Sequence, residues 1–190
     1  MNYIQAYYNL IISGQVVVSN KVRKQFDRLI DDLNNPRKYH FDLKKASRPI
    51  EFVEKFCKHS KGQWAGKPVI LDLWQKAIIQ AIFGFVDDKG IRKYREALII
   101  VARKNGKSTL LSAIALYMLF ADYEGGAQVC CVASKKDQAK IVFTEAKNMV
   151  TQSPWLSQAI KKRKSYALNR SKNLEEDILK LIEYKSSVST

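Results

Sequence analysis

The chain has 190 residues and can hold one ordinary domain, or one domain with an appendage. Lysine and arginine outnumber aspartate and glutamate by 33 to 18, which gives a formal net charge of +15 at pH 7. An excess of this size favours a polyanionic partner, most often nucleic acid, although an acidic part of a larger assembly would also balance it. No apolar run approaches the roughly 20 residues of a membrane span, so an integral membrane protein is excluded.

Two further properties concern the compartment in which the protein folds. The N-terminus has neither the basic leader nor the small-residue cleavage site of a signal peptide, so we expect mature sequence. The cysteines, Cys57, Cys130 and Cys131, form neither a disulfide framework nor a zinc pattern, which indicates a reducing compartment. Cys130 and Cys131 stand in an apolar run, where we expect them to be buried packing residues.

The first 35 residues or so predict two helices. Ser13-Gly14 interrupts the first pattern, Ser19 or Asn20 can cap the second helix, and Asn34 to Pro36 ends it. An aromatic helix face can offer a platform for bases, but such a face packs into a core more often, and we favour packing. The residues that share the first helix face are Tyr3, Ala6, Tyr7, Leu10 and Ile11.

The next stretch predicts an extended segment, a third helix and a boundary. Tyr39 to Lys44 is the short extended segment, and Pro49 stands at the first turn of a helix that runs to Phe56. His40 and His59 have no second ligand at metal spacing, so they are solvated or capping histidines. The turn-rich residues 60–68 mark the best internal boundary.

Residues 95–118 carry the motif around which the chain is organised. An apolar run, 97–102, enters the polar loop Arg103-Lys104-Asn105-Gly106, which opens directly into Lys107-Ser108-Thr109 and a helical pattern. This order of strand, tight loop, Gly-Lys-Ser/Thr and helix is typical of a site for nucleotide phosphates. The first glycine of the fuller motif is missing, because Val101 occupies its position. A basic loop between a strand and a helix is the alternative.

A second strand and helix follow the motif. Residues 128–133 are apolar without alternation, which predicts a buried strand, and Ser134 is placed to cap a helix that runs to about Val150. Strand, helix, strand and helix at this spacing form a βαβ unit, so we predict a parallel sheet. Ser153-Pro154-Trp155 then begins a further short helix.

Three features remain open from the residues alone. The basic run Lys161 to Lys164, with Arg170 and Lys172, is either a contact for DNA phosphates or a solvated turn. Gln75, which follows an aromatic residue ahead of the loop, has the donor and acceptor that an adenine edge requires, but an ordinary surface glutamine is the commoner case. Residues 178–184 alternate as a strand would.

Hydrolysis of a nucleotide needs one carboxylate that holds Mg²⁺ through water and a second that orients the attacking water. Both usually follow an apolar strand. Here the acidic cluster Glu175-Glu176-Asp177 precedes its apolar residues, and no other pair follows Ser108. The end of the chain, rich in serine and threonine, offers no closing element for a sheet. We therefore expect an incomplete ATPase domain.

Five segments together resemble the N-terminal part of the large terminase subunit of tailed bacteriophages, the motor that pumps DNA into proheads. The likeness covers nearly the whole chain, and the family's own loop has the same variant form without the first glycine. The segments are Phe41 to Leu71, Leu73 to Gln75, Ala102 to Thr109, Val132 to Ala146 and Ser165 to Asn173.

The resemblance implies a role for each residue of the loop. Lys107 would hold the β- and γ-phosphates of ATP, and Ser108 would hold the Mg²⁺ ion. Thr109 would provide a neighbouring hydroxyl group. Arg103 is similar to the family's loop arginine, a candidate for charge stabilisation at the phosphates. Gln75 matches the family's adenine-contacting glutamine, which reverses the preference stated above. Lys104, Asn105 and Gly106 complete the nucleotide-binding loop.

The resemblance also implies the setting. The cofactors of the protein would be ATP and Mg²⁺. Its partners would be double-stranded DNA, the terminase small subunit and the portal or prohead, and it would not bind a membrane. The full-length protein would form a homo-oligomeric ring in the host cytoplasm and would carry an Asp-Glu strand and a C-terminal metal-dependent nuclease domain. We expect a fragment that by itself binds nucleotide weakly, if at all, and hydrolyses it negligibly.

The sequence thus predicts an α/β fold: a P-loop NTPase with a parallel sheet, incomplete at its C-terminal side. We place a helical N-terminal region at residues 1–66 and the partial ATPase domain at 67–190. The predicted function is ATP-driven translocation of double-stranded DNA into proheads. The alternatives are another P-loop ATPase, such as a DNA helicase or an initiator-type enzyme, and a non-enzymatic basic module for DNA binding or assembly.

Overall fold

Residues 1–125 and 127–167 are described by a computed structural model, with side chains up to residue 160. This part of the chain is rich in helices and contains one small sheet. It divides into two compact units, one of residues 1–51 and 70–100, the other of residues 52–69 and those from 101 onward. The elements, in chain order, are α1 (Tyr3–Ile12), α2 (Asn20–Asn34), β1 (His40–Phe41), α3 (Leu43–Phe56), a 3-10 turn (Gly62–Trp64), α4 (Leu73–Gly84), β2 (Phe85–Val86), α5 (Lys107–Phe120), α6 (Lys136–Gln152) and α7 (Pro154–Ala167).

The core of the first unit lies where α1 packs against α2 and α4. The hydroxyl oxygen of Ser19 accepts a hydrogen bond from the Val22 amide at 3.3 Å, which confirms the predicted cap of α2. The ring centroids of Tyr7 and Phe26 lie 5.1 Å apart, so the tyrosine face of α1 is a packing face, as we favoured. The buried residues of this core are Ile4, Ile11, Phe26, Leu29, Ala77 and Phe85.

Helix α3 begins six residues earlier than predicted. The Asp42 carboxylate accepts from the Lys45 amide at 3.0 Å, and the Asp42 carbonyl accepts from the Ala46 amide at 2.9 Å. Asp42 is therefore the N-terminal cap, and Pro49 lies inside the helix. The prediction that Pro49 starts the helix was wrong, because an N-cap bond and the packing of this segment outweigh the one helical hydrogen bond that proline cannot donate.

The described sheet is antiparallel and has two strands. His40 pairs with Val86 and Phe41 with Phe85, which confirms part of the extended segment predicted at residues 39–44, whereas Leu43 and Lys44 belong to α3. Directly before β2, the Gly84 carbonyl accepts from the Asp42 amide at 2.8 Å. These bonds join the start of α3 to the end of α4.

In the second unit, α5 packs against α6, and α6 against α7. The Ser112 hydroxyl, which is fully buried, donates to the Val142 carbonyl at 2.8 Å and ties α5 to the backbone of α6. Phe56 stacks on Trp155 with ring centroids 4.0 Å apart. The buried residues of the three helices include Leu110, Ala113, Leu116, Leu119, Ala139, Ala146, Met149, Val150, Leu156 and Ile160.

The start of α6 differs from the prediction. Lys135 stands at the N-cap position without a side-chain bond, whereas the Ser134 hydroxyl donates to the side-chain oxygen of Gln138 at 3.3 Å. The prediction that Ser134 caps this helix was therefore wrong. Pro154 begins α7, as predicted, but the helix runs for 14 residues and was wrongly predicted to be short; the Leu156 amide donates to the Ser153 hydroxyl at 3.4 Å.

No parallel sheet is present among the described residues. Neither residues 97–102 nor residues 128–133 form a strand there, and Leu98 and Val132 are 87% and 63% exposed. Cys130 is exposed and Cys131 half-buried, so the expectation of two buried cysteines was wrong. The physical reason is that a central strand is stabilised by neighbours on both edges and by helices on both faces, none of which a local apolar run supplies.

Several predictions fall beyond the described structure. The basic run at residues 161–164 lies in α7, whose side chains from residue 161 onward are not described, and Arg170, Lys172, the acidic cluster 175–177 and the predicted strand 178–184 lie outside the described residues. Within the described residues, no cluster of three or more metal-ligating side chains occurs, and no helix is long and apolar enough to cross a membrane.

Candidate phosphate-binding site

The loop of residues 102–106 leads directly into α5. Gly106 is the N-cap residue, with φ of +67°, and the Leu110 amide donates to the Gly106 carbonyl at 2.9 Å. The amides of Lys107, Ser108 and Thr109 have no acceptor within the helix, because the first N–H groups of any α-helix lack one. Together with the dipole of a 14-residue helix, these amides create a positive potential at the loop.

The loop conformation requires two left-handed residues. Gly106 adopts this conformation without penalty, but Lys104 also does so, with φ of +68°. A residue that carries a Cβ atom loses roughly 1–2 kcal/mol in the left-handed region. Between them, the Asn105 side-chain amide donates to the Ala102 carbonyl at 3.3 Å, which closes the loop on itself. Sequence reasoning missed the special backbone of Lys104, since only a glycine there would have signalled it.

The positive side chains of the loop face solvent. Arg103, Lys104 and Lys107 are exposed, and the Lys107 ammonium group donates to the Val101 carbonyl at 3.3 Å. Ser108 and Thr109 are half-buried in the first turn of α5. The structure therefore brings residues 103–109 together in one exposed, cationic loop with free backbone donors, an arrangement suited to a polyanion such as a polyphosphate.

Gln75 belongs to the other compact unit, at the third position of α4. Its side-chain oxygen accepts from the Asp72 amide at 2.9 Å, and the Asp72 carboxylate accepts from the Gln75 amide, which forms a capping box. The side chain is 8% exposed, so Gln75 is a structural capping residue in addition to any role at a ligand. The side-chain amide nitrogen has no partner among the described residues.

Comparison with known proteins decides the family. The profile of a family described as "Terminase large subunit, ATPase domain" matches residues 73–181, more than half of the chain. The chain belongs to this family. The match contains Gln75 and the whole of the cationic loop, and the resemblance drawn from the five sequence segments is confirmed.

A relative that matches both in sequence and in solved structure shows how much of such a protein this chain covers. The terminase large subunit of Enterobacteria phage HK97 is 31% identical over 119 residues, which cover 62% of this chain and 23% of that protein. The crystal structure of the HK97 bacteriophage large terminase matches with a TM-score of 0.50 and 33% identity, over 60% of this chain and 22% of that one. By either comparison, the match spans less than a quarter of the length of that relative.

Proposed function

We propose that the loop of residues 102–109 binds the phosphates of ATP, and that the protein acts in ATP-driven translocation of double-stranded DNA during viral genome packaging. The observation that carries this proposal is the position of Gly106-Lys107 at the first turn of α5, after a loop with two left-handed residues. Family membership in the ATPase domain supports the same conclusion.

Each residue of the loop has a proposed part. Lys107 exchanges the Val101 carbonyl for the β- and γ-phosphates, because its present bond is long and exposed. Lys104, Asn105 and Gly106 shape the cradle, and Arg103 stabilises charge at the phosphates. Ser108 and Thr109 place hydroxyls at the first turn of α5, where the Ser108 oxygen fits a ligand of Mg²⁺, an ion that prefers oxygen donors and neutralises the phosphates when bound.

Gln75 is proposed to contact the adenine ring. Because its oxygen already accepts from the Asp72 amide, the side-chain NH₂ group is the part available to donate to an adenine nitrogen. The capping box holds that group in a single orientation and so lowers the entropy lost on binding.

The finer architecture and the partners are also proposed on the strength of the family. A P-loop NTPase core would contain residues 97–102 and 128–133 as strands of a parallel sheet, and the division between residues 1–66 and 67–190 stays a prediction. The partners would be double-stranded DNA, the terminase small subunit and the portal or prohead, in a homo-oligomeric ring in the host cytoplasm. A nuclease activity would belong to another domain of the full-length protein.

A titration with a fluorescent ATP analogue and Mg²⁺ tests the nucleotide site. Lys107→Ala removes a charged contact with phosphate, and we expect it to weaken binding about 10-fold or more. Lys140→Ala is the matched control, because Lys140 is exposed on α6 in the same unit and its loss changes the net charge equally. Equal affinity of Lys107→Ala and the control would contradict the proposal.

A further inference from the structure

The second unit contains a second cationic loop, residues 58–68, which the nucleotide site does not use. Its ends are joined by an antiparallel bridge between Lys58 and Pro68. Inside the bridge, the His59 amide donates to the Lys67 carbonyl and the Gly66 amide to the His59 carbonyl, both at 2.9 Å. These bonds give the loop one defined shape. We call it the tryptophan loop.

The tip of the tryptophan loop presents an indole to solvent. Trp64 ends a 3-10 turn and is 54% exposed, and the Lys67 ammonium group lies 4.8 Å from the centroid of its ring. Gly62 and Gly66 stand on either side with φ of +69° and +77°, which permits the tight turn. A large aromatic side chain held outward on a rigid turn loses little entropy when a partner covers it, and such residues dominate the energetics of interfaces.

The charge around Trp64 has one sign over a long stretch. Residues 55–71 contain four lysines, at positions 55, 58, 61 and 67, and neither aspartate nor glutamate. Lys61 and Lys67 are exposed, and Lys67 lies beside the indole. The carboxylate that faces the loop from α6 is Glu145, and it accepts a hydrogen bond from the Ser60 hydroxyl at 2.7 Å. The tip therefore combines an apolar ring with several cations.

Part of the backbone of the tryptophan loop is engaged in closing the loop itself. The amides of His59, Ala65, Gly66 and Lys67 all donate to carbonyls within the loop itself. The exposed side chains that this loop offers to a ligand include Lys61, Lys67 and the Trp64 indole. Lysine acts as a flexible point charge that suits phosphates spaced along a polymer, whereas compact recognition of a single phosphate group uses backbone donors.

We propose that the tryptophan loop is a contact for the sugar–phosphate backbone of double-stranded DNA. Lys61 and Lys67 would pair with phosphates, and the Trp64 indole would pack on a deoxyribose between them. Contacts of this kind position a duplex without reading its bases, which suits a protein that moves along DNA of any sequence. The inference rests on the proposed function only in taking duplex DNA as the partner.

Fluorescence anisotropy with a labelled DNA duplex, at several salt concentrations and without nucleotide, tests the proposal on the 190-residue chain. The variant Lys61→Ala/Lys67→Ala is expected to lower the slope of log affinity against log salt by about 2, since each phosphate contact contributes about 0.9. Lys21→Ala/Lys24→Ala removes the same charge from exposed positions of α2 and is expected to leave the slope unchanged. Equal losses in the two double variants would overturn the proposal.

A second pair of variants tests the indole. Trp64→Ala is expected to weaken duplex binding about 5-fold, as for a residue at the centre of an interface, and Trp64→Phe to restore part of that loss. A loss in Trp64→Ala that appears only with single-stranded DNA would overturn the assignment to duplex. Nucleotide titration of the same variants separates the two hypotheses. If only the hypothesis about the tryptophan loop is wrong, Lys107→Ala still weakens nucleotide binding. If only the hypothesis about the nucleotide site is wrong, Lys61→Ala/Lys67→Ala still lowers the salt slope of DNA binding.

Discussion

The Lys107 ammonium group donates to the Val101 carbonyl at 3.3 Å, so the lysine of the cationic loop lies folded over the residue that replaces the missing glycine of the fuller motif. The bond is long and exposed and is worth about 1 kcal/mol or less. A bound polyphosphate therefore releases the lysine at little energetic cost. Val101 contacts the lysine through its main-chain carbonyl.

The first prediction follows from that use of the main chain. Val101→Ala keeps the carbonyl and is expected to leave the affinity for an ATP analogue within about two-fold, a difference of roughly 0.4 kcal/mol. Nucleotide titration beside Lys107→Ala makes the comparison. A loss in Val101→Ala as large as that in Lys107→Ala would show that the valine side chain itself shapes the site.

The two left-handed residues of the loop are expected to respond differently to substitution. Gly106→Ala places a Cβ atom at φ of +67° and is expected to lower the free energy of unfolding by about 1–2 kcal/mol. Lys104→Gly relieves the same strain at φ of +68° but adds freedom to the unfolded chain, so we expect a change within about 0.5 kcal/mol. Urea denaturation measures both.

Gly125→Ala is the control for these loop variants. A Cβ atom at Gly125 would meet nothing within 4 Å, and this glycine does not have a positive φ, so we expect no loss of stability. If Gly106→Ala and Gly125→Ala unfold at the same urea concentration, Gly106 does not have the left-handed conformation described for the loop.

A tight contact in the first unit predicts a third result. A Cβ atom added at Gly84 would lie 2.8 Å from the Cβ atom of Ala46 and 2.9 Å from Cδ2 of Phe41. Because both neighbours belong to the packed junction of α3, α4 and the two-stranded sheet, Gly84→Ala is expected to cost about 1–3 kcal/mol of unfolding free energy. Thermal denaturation of this variant against Gly125→Ala checks it, and equal melting temperatures would contradict the packing described.

Tyr94 predicts a loss of stability at alkaline pH. Burial, with the nearby charge of Asp32 and a hydrogen bond to it at 3.2 Å, raises the pKa of Tyr94 from 10.0 to about 12. Because the folded state holds this proton more tightly, the contribution of Tyr94 is complete below pH 10 and disappears as the pH rises toward 12. The measurement is the melting temperature of the protein and of Tyr94→Phe across that range.

We expect a shallower decline in Tyr94→Phe, which has no phenolic proton to lose. Tyr123→Phe, at a side chain that is 83% exposed, is the matched control and should decline like the parent protein. The same slope in all three proteins would mean that Tyr94 titrates alike in the folded and unfolded states.

Features that depend on neighbours in the sequence were predictable. The Ser19 cap, Pro154 at the start of α7 and the Gly-Lys-Ser loop before α5 each involve groups a few residues apart, so their geometry is encoded locally. Membership in the family was predictable for the same reason, because the motifs that identify the family are short segments in a fixed order. Residue types and spacing were sufficient to predict membership in the terminase large subunit family.

Features that depend on distant partners were decided by the tertiary structure. Phe41 pairs with Phe85 and the Asp42 amide donates to the Gly84 carbonyl at 2.8 Å, so bonds formed across the fold hold the chain where α3 starts, ahead of Pro49. Hydrophobicity alone predicted strands at 97–102 and 128–133, but strands need neighbours that composition does not specify. The exposed indole of Trp64 likewise follows from a loop closed by its own backbone bonds, which no pattern of residue types encodes.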